Sequence, residues 1–345
     1  MRAFHDPGDS AHAPQFFLMR GRLRANFEVP ARAESLRAGL AQLQIAPERA
    51  PAASAAQMAR LHAADYLDFL AEASREWAAM PEAGAEVVAN IHPTPEMLAQ
   101  SDCAATHIVA RTGRYTADTA CPIGPGTWAA AAGAAGCALA AAAVAAEGGA
   151  AYALCRPPGH HAYAARAGGH CYVNNSALAA QALRDAGAAR VAVLDIDSHH
   201  GNGTQGIFWE RGDVLTVSLH ADPARYYPWY VGFAGERGAG AGAGANLNLP
   251  LPFGSGDAPW LAALAEGVAA VQAFRADALV VALGFDASAQ EPLNALNVTA
   301  DGFARAGAAI GALHLPTAIC QEGGYNVDIL GDLLARFLAG FGNAR

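Results

Sequence analysis

Lysine is absent from this chain of 345 residues, and all 22 of its basic residues are arginine. Enzymes that form a Schiff base through a lysine side chain are therefore excluded. Phosphate-binding loops of the Walker type, which require a lysine, are excluded for the same reason. The formal net charge of −9 also argues against a nucleic-acid-binding protein, which would carry a basic stripe.

Cysteine is scarce, and the spacing of the cysteines shows no C-x-x-C pair. No signal peptide is visible at the start of the sequence, so we expect reduced thiols and a cytoplasmic location. The cysteines are Cys103, Cys121, Cys137, Cys155, Cys171 and Cys320.

Charged residues are few, at 15%, whereas 53% of the residues are hydrophobic, so the chain can bury a large core. No linker divides the sequence between Phe27 and Phe341, which favours a single domain over residues 1–345. The uncharged stretch from Trp128 to Ala146 is nearly long enough to span a membrane. Because it consists mostly of Ala and Gly, we interpret it as a helix packed closely against a sheet and expect no membrane partner.

Four apolar runs each stop at polar side chains, a pattern typical of buried strands that end at a functional site. In an open parallel α/β sheet, ligands bind in the crevice beyond the carboxyl ends of the strands. The side chains that follow these four runs are therefore expected to meet. The runs are 151-AYALCRPPGHH-161, 190-RVAVLDIDSHHGNG-203, 278-ALVVALGFD-286 and 317-TAICQEGGY-325.

Asp197, His199 and Asp286 offer two carboxylates and one imidazole, which suit a divalent metal with an open coordination position. The period of an extended strand would place Asp195, Asp197 and His199 on one side. The adjacent His160 and His161 supply acid-base groups, so the pattern indicates a metal-dependent hydrolase.

An aspartate at a strand end is commonly a helix cap or a turn former, and a lone histidine is commonly structural. Four runs that all end in such groups favour the metal site, because buried carboxylates are paired or coordinate metals.

Amphipathic stretches near 176–187, 259–274 and 301–313 separate the predicted strands, as right-handed crossovers between parallel strands require. The sequence therefore predicts an α/β fold, a three-layer αβα sandwich around a central, mainly parallel sheet.

Several ordered motifs resemble the zinc-dependent histone deacetylase superfamily, and are most similar to the bacterial acetylpolyamine amidohydrolases. The resemblance runs from about Phe27 to the C-terminus and implies an arginase/deacetylase-like fold. The motifs are 156-RPPGHHAYAARAGGHCYVNN-175, 195-DIDSHHGNGTQGIF-208, 216-TVSLH-220, 239-AGAGAGANLNLPL-251, 284-GFDAS-288 and 322-EGGYN-326.

The resemblance implies one zinc ion per chain, bound by Asp197, His199 and Asp286. It also implies that His161 is the general base and that His160 assists electrostatically.

Tyr325 would donate its hydroxyl to the oxyanion. Asp195 matches the carboxylate that orients His160, and Asn202 stands where some relatives carry the Asp that partners the base. Arg32 matches a buried arginine behind the site.

The resemblance further suggests two potassium ions held largely by main-chain carbonyls. The first would lie near Asp195, Asp197, His199, Ser218 and Leu219, and the second near Phe208, Arg211 and Val214. Gly169, Gly323 and Gly324 match positions where the backbone approaches the substrate closely. His170 and Tyr227 match the two walls of the substrate channel.

Two other functions stay open at this point. A two-metal ureohydrolase would need a second bridging Asp two residues after Asp286, where the chain has Ser288. A pseudoenzyme that only binds acylated amines is disfavoured, because the ligands, both histidines and Tyr325 are present.

The substrate is expected to be a small N-acetylated amine, either an acetylpolyamine or a similar compound, with acyl-lysine as the alternative. Acetylpolyamine-selective relatives place acidic residues at the channel mouth, and one such position falls here on Phe17. The loop around it is instead apolar and basic, with Phe16, Met19, Arg20 and Arg22.

The segment from about 75 to 122 shows little helical or strand periodicity, so we interpret it as a loop insertion. Its apolar residues argue against plain disorder. In the amidohydrolases that the chain resembles, a comparable insertion packs against a second subunit and narrows the channel, which implies a homodimer. The alternative is that this segment folds back on its own subunit.

Overall fold

The computed structural model describes residues 1–102 and 105–345, and Cys103 lies outside them. Within these residues, eight strands form one sheet in the order β4-β1-β5-β10-β9-β6-β7-β8, and all neighbouring strands are parallel. An antiparallel hairpin, β2-β3, lies apart from it. The strands are β1 (Arg2–His5), β2 (Phe16–Met19), β3 (Arg22–Ala25), β4 (Glu48–Arg49), β5 (Ala150–Leu154), β6 (Val191–Asp195), β7 (Val214–Ala221), β8 (Asn246–Leu251), β9 (Ala278–Leu283) and β10 (Thr317–Gln321).

Helices connect the strands and cover the sheet. They are α1 (Ala31–Gln42), α2 (Ala55–Met58), α3 (Ala64–Ala78), α4 (Pro95–Gln100), α5 (Ile108–Tyr115), α6 (Thr127–Ala146), α7 (Asn175–Asp185), α8 (Asn202–Phe208), α9 (Asp257–Phe274), α10 (Ala300–Gly311) and α11 (Val327–Ala344). Short 3₁₀ turns occur at Asp9–Ala11 and Gly240–Gly242. The predicted helices near 176–187, 259–274 and 301–313 are confirmed as α7, α9 and α10.

The two faces of the sheet are buried under different helices, as the strand period requires. In β6, Val191 and Val193 belong to a buried cluster that includes residues of α6 and α7, whereas Ala192 and Leu194 belong to one that includes residues of α1, α9, α10 and α11. Both faces are covered, so central strands such as β9, ALVVAL, are apolar throughout rather than alternating with polar residues. The predicted three-layer αβα sandwich with a parallel sheet is confirmed.

The Ala- and Gly-rich stretch forms α6, which is long and apolar enough to cross a membrane by length and composition. Most of this helix is buried within the protein, where it packs on β5, β10 and α7. The predicted packing of a small-residue helix against the sheet is therefore confirmed.

The segment 75–122 contains more regular structure than its sequence indicated. Its first residues complete α3, and α4 and α5 lie within it, while Val87 forms a bridge with Ile123, the residue that follows the segment. Helices of 6 and 8 residues contain too few turns for an apolar period to stand out. Ile108 and Tyr115 of α5 are buried with Phe69 of α3, so this part folds back on its own chain.

Close helix packing on one face of the sheet depends on glycine. A Cβ atom at Gly307 of α10 would overlap the carbonyl oxygen of Phe337 in α11, whereas one at Gly342 of α11 would meet nothing within 4 Å.

We therefore expect Gly307→Ala to lower the free energy of unfolding by about 1–3 kcal/mol, the usual effect of overpacking. Gly342→Ala, the matched control, should leave it unchanged or raise it by at most about 1 kcal/mol, because alanine has the higher helix propensity. Urea denaturation of both variants measures the difference. Equal free energies of unfolding for the two variants would show that α10 and α11 can move apart at no cost in stability.

Candidate active site

Three predicted metal ligands converge beyond the carboxyl ends of the sheet's middle strands. Asp197 and His199 follow β6, and Asp286 follows β9. Their ligand atoms all lie within 4.8 Å of one another, and the three residues are buried. His199 Nδ1 lies 2.9 Å from Asp286 Oδ2 and 3.1 Å from Asp197 Oδ1, so one imidazole nitrogen faces both carboxylates.

The local geometry differs from the extended strand end that the sequence indicated. β6 ends at Asp195, and the next residues turn, because the Asp197 N–H donates to Asp195 Oδ1 at 3.1 Å and the His199 N–H donates to Asp197 Oδ1 at 2.8 Å. Asp195 lies apart from the ligand cluster and pairs with His160 instead. The prediction that Asp195, Asp197 and His199 share one side of a strand was therefore wrong.

The charges of this cluster call for a cation. Burial disfavours a charged imidazole, but Asp286 and Asp197 outweigh it and raise the pKa of His199 to about 9. Burial and the neighbouring Asp197 raise the pKa of Asp286. Two buried carboxylates with ligand atoms within 4.8 Å of each other need a positive partner. A donor set of two carboxylates and one imidazole fits a divalent metal such as zinc.

A second buried group of possible ligands consists of His160, Cys171 and Glu322. Its carboxylate is already engaged, because Glu322 accepts hydrogen bonds from the Gly159 N–H at 2.7 Å, the His160 N–H at 3.0 Å and the Ser176 hydroxyl at 2.8 Å. Glu322 therefore holds the loop that carries the histidine pair.

The two adjacent histidines differ in charge. His160 Nδ1 lies 2.8 Å from Asp195 Oδ2; burial opposes its protonation, but Asp195 and Asp197 raise the pKa of His160 well above its usual value. Burial and the nearby His160 and His199 lower the pKa of His161 well below its usual value. His161 is therefore neutral at physiological pH.

The hydrogen bond to Asn202 sets which nitrogen of His161 is basic. His161 Nδ1 lies 2.6 Å from Asn202 Oδ1. With this oxygen as acceptor, Nδ1 carries the hydrogen, and Nε2 is left as the acceptor. The predicted partner of the base is thus in contact with it.

A cavity of about 360 Å³ opens onto the ligand cluster. His161, His199 and Tyr325 line it together with both predicted wall residues, His170 and Tyr227. The remaining lining residues are Phe17, Leu18, Met19, Arg20, Phe27, Asp118, Thr119, Ala120, Gly169, Tyr226, Trp229, Pro292 and Leu293.

Tyr325 is held from three sides. The Arg32 guanidinium lies 4.9 Å from the centre of the Tyr325 ring, and the His170 ring centre lies 5.8 Å away. Its backbone N–H donates to the Glu291 carboxylate at 2.9 Å. Burial raises the pKa of Tyr325 well above its usual value, so the hydroxyl remains a donor at physiological pH.

The walls of the cavity are aromatic. Tyr227 meets the His161 ring edge to face, with centroids 4.8 Å apart. His170 packs on Phe17 with centroids 5.6 Å apart, and burial lowers the pKa of His170 to about 4, so it is a neutral ring.

The three predicted glycines allow close backbone approach within the site itself. A Cβ atom at Gly169 would overlap the His161 ring, and one at Gly323 would overlap both Asp286 and Asp197. Gly324 has a φ of +116°, which favours glycine.

Arg32 lies behind the site, where its Nε donates to the Gly324 carbonyl and its Nη2 to the Glu322 carbonyl, both at 2.6 Å. Its Nη1 donates to Glu28 Oε1 at 2.8 Å. Glu28 also accepts from Arg156, so two buried arginines share one carboxylate.

Sequence reasoning missed Glu28, Arg156, Glu291, Glu322 and Asp118. Glu322 and Arg156 stood within motifs already identified, at the ends of apolar strands. A charged residue in such a position needs a buried partner, and that requirement was the signal available. Glu291 and Asp118 lie in irregular segments, where the sequence pattern gave no such signal.

The residues implied for each potassium ion lie on neighbouring strands or close together in sequence. Asp195 pairs with Ser218 across β6 and β7, and Leu219 follows in β7. Phe208 ends α8, and Arg211 and Val214 lead from it into β7. Potassium binding stays a prediction.

Comparison with known proteins places this site in a family. The family model described as the Histone deacetylase domain matches residues 26–341. The acetylpolyamine amidohydrolase of Burkholderia pseudomallei (strain 1710b) is 46% identical, with all of both chains covered. Acetylpolyamine amidohydrolase 1 of Pseudomonas aeruginosa is 41% identical over 96% of each chain. A crystal structure of acetylpolyamine aminohydrolase from Burkholderia pseudomallei superposes with a TM-score of 0.95 at 46% identity, covering 100% of this chain and 99% of that one.

The chain therefore belongs to the histone deacetylase family and is a deacetylase. The predicted resemblance to this superfamily, and within it to the bacterial acetylpolyamine amidohydrolases, is confirmed.

Proposed function

We propose that this chain is a zinc-dependent amidohydrolase that removes the acetyl group from small N-acetylated amines, acetylpolyamines foremost. The observation that carries the proposal is the buried cluster of Asp197, His199 and Asp286, which adjoins a cavity lined by a neutral His161 and by Tyr325. The names of the relatives of similar length supply the substrate class.

Asp197, His199 and Asp286 would hold the zinc ion. When bound there, zinc polarises the amide carbonyl and lowers the pKa of water. His161 accepts the proton of the attacking water at Nε2 and then donates it to the leaving amine. Protonated His160 supplies positive charge beside the reaction centre, and the Tyr325 hydroxyl donates to the oxyanion as it develops.

The cavity supports a slim substrate. Its aromatic walls suit the methylene chain of an alkyl amine. Arg20 also lines the cavity and would repel a long polycation, which favours a short acetylated diamine over a longer polyamine. An acyl-lysine side chain has the same methylene chain and is the alternative substrate.

Metal dependence and substrate class are tested together. Chelation should abolish hydrolysis of acetylputrescine, acetylcadaverine and acetylspermidine, and one equivalent of zinc per chain should restore it. Acetyl-lysine peptides, assayed side by side, should be the poorer substrates. Turnover by verified metal-free protein would contradict the zinc mechanism. Zinc binding without turnover of any compound in the panel would instead indicate a binding protein.

The acid-base roles predict a specific kinetic result. His161→Ala and Tyr325→Phe should each lower kcat by about 100-fold or more, because both groups act mainly in the transition state. Zinc content, measured by elemental analysis, should stay at the wild-type level, whereas Asp286→Ala, the control, should lose zinc. A wild-type kcat in either variant would remove that residue from the mechanism.

We also propose a cytoplasmic location and two structural potassium ions at the carbonyls identified above. The described cysteines, Cys121, Cys137, Cys155, Cys171 and Cys320, are all free thiols, which supports a reducing compartment.

We further propose a homodimer formed through part of the segment 75–122. Ile91, Met97 and Leu98 expose 48%, 51% and 47% of their surfaces and lie around a groove of about 530 Å³. Exposed apolar patches of this kind commonly mark protein contacts. A second copy of the chain is the proposed occupant.

Light scattering at micromolar concentration should therefore give twice the chain mass of 35.3 kDa. The double variant Met97→Glu, Leu98→Glu should shift the protein to monomer, since it places charge in the contact. Leu23→Glu, which alters an exposed leucine on the β2-β3 hairpin, is the control and should remain dimeric. A monomeric wild-type protein would overturn the proposal.

A further inference from the structure

Asp118 joins two walls of the active-site cavity through one carboxylate. Its Oδ2 accepts a hydrogen bond from the Tyr227 hydroxyl at 2.7 Å and one from the Gly169 N–H at 3.1 Å. Its Oδ1 accepts from the Ala120 N–H at 2.8 Å, which fixes the carboxylate on its own loop. Tyr227 and Gly169 belong to different segments, which follow β7 and β5 respectively.

Both partners of Asp118 press on the same ring, that of His161. The backbone at Gly169 lies so close that a Cβ atom there would overlap His161 Cδ2. The Tyr227 ring meets His161 at an interplanar angle of 82° with centroids 4.8 Å apart. Asn202 holds His161 at Nδ1, and the His160 ring packs against it with centroids 4.0 Å apart. Gly169 and Tyr227 add two further contacts that fix the orientation of the ring.

We propose that Asp118 is a positioning residue for His161. By holding Tyr227 and Gly169 against the ring, it keeps Nε2 of the general base aimed at the reaction centre. Asp118 contributes no group to the chemical step. This inference rests on the proposed function, in which His161 moves the proton.

A misplacement of about 1 Å at a reacting group costs up to about 100-fold in rate. Asp118→Ala is therefore expected to lower kcat by about 10- to 100-fold with little change in KM. Asp118→Asn should recover part of the loss, because its amide oxygen still accepts from Tyr227 and Gly169. Tyr227→Phe, which keeps the ring and breaks one hydrogen bond, should lower kcat by a smaller factor.

Two substrates distinguish positioning from recognition of a cationic tail. Acetylputrescine carries an ammonium group, and N-pentylacetamide replaces that group with methyl at the same length. A positioning role requires the same fold-loss in kcat for both compounds in Asp118→Ala. The losses in Asp118→Ala and Tyr227→Phe should also be non-additive in the double variant, because both act on one ring.

Asp222→Asn is the matched control, because Asp222 also accepts a backbone N–H in its loop, that of Ala224 at 2.9 Å, but it does not line the cavity. It should keep wild-type kinetics.

A rise in the KM of Asp118→Ala for acetylputrescine alone, with kcat unchanged, would overturn the proposal and make Asp118 an ammonium-binding residue. Tyr227→Phe tests the proposal even if the Asp118 variants fail to fold, because a wild-type kcat in this variant would also overturn the proposal. Failure of the wild-type enzyme on both substrates would instead reject the proposed function.

Discussion

Two buried carboxylates, those of Asp197 and Asp286, face one imidazole nitrogen, and most of the site is arranged to tolerate that pairing. Like charges buried together are costly unless a cation and hydrogen-bond donors compensate them. The backbone N–H of Ser198 donates to Asp286 at 2.7 Å, and that of Gly323 donates to Asp197 at 2.8 Å. Loops that follow different strands must therefore fold against these two side chains before either carboxylate has its hydrogen-bond donors. The positive charge that remains to be supplied is the physical reason for a metal at this point.

Around this pair, other buried carboxylates accept hydrogen bonds from backbone N–H groups and so fix the loops of the site. Glu322 binds the loop that carries the histidine pair, and Glu291 binds the loop that carries Tyr325. Burial raises the pKa of each of these two glutamates to about 7, with Asp286 contributing for Glu291 and Asp195 for Glu322. The reacting groups are thus fixed by rigid strand ends and short braced loops. Part of the cavity wall comes from the β2-β3 hairpin, where substrate preference can change without disturbing the chemistry.

The sequence identified the parallel sheet and the converging ligands because both leave periodic or terminal signals. An apolar run of five residues that ends in Asp or His is visible without coordinates. The turn at Asp195 was missed, because a strand's end is set by side chain–backbone hydrogen bonds that its apolar pattern does not encode. The short helices α4 and α5 were missed for a similar reason: local caps, such as the Thr94 hydroxyl on the Met97 N–H, define them more than their periodicity does. Asp118 could not be found from sequence, since its importance comes from Tyr227, which lies 109 residues away.

The position of β10 in the sheet has a consequence for how the protein is made. This strand follows the other strands of the sheet in sequence, yet it lies between β5 and β9. Until Gln321 has been synthesised and released, the nascent chain therefore holds two half-sheets, each with an unpaired apolar edge. Such edges are templates for aggregation, and sheets that depend on distant pairings form slowly. Shortening the chain before this strand would thus do more than remove Tyr325, because it would leave two half-sheets with unpaired, aggregation-prone edges. A cell producing the protein would need chaperones most at the end of translation, before β10 pairs with β5 and β9.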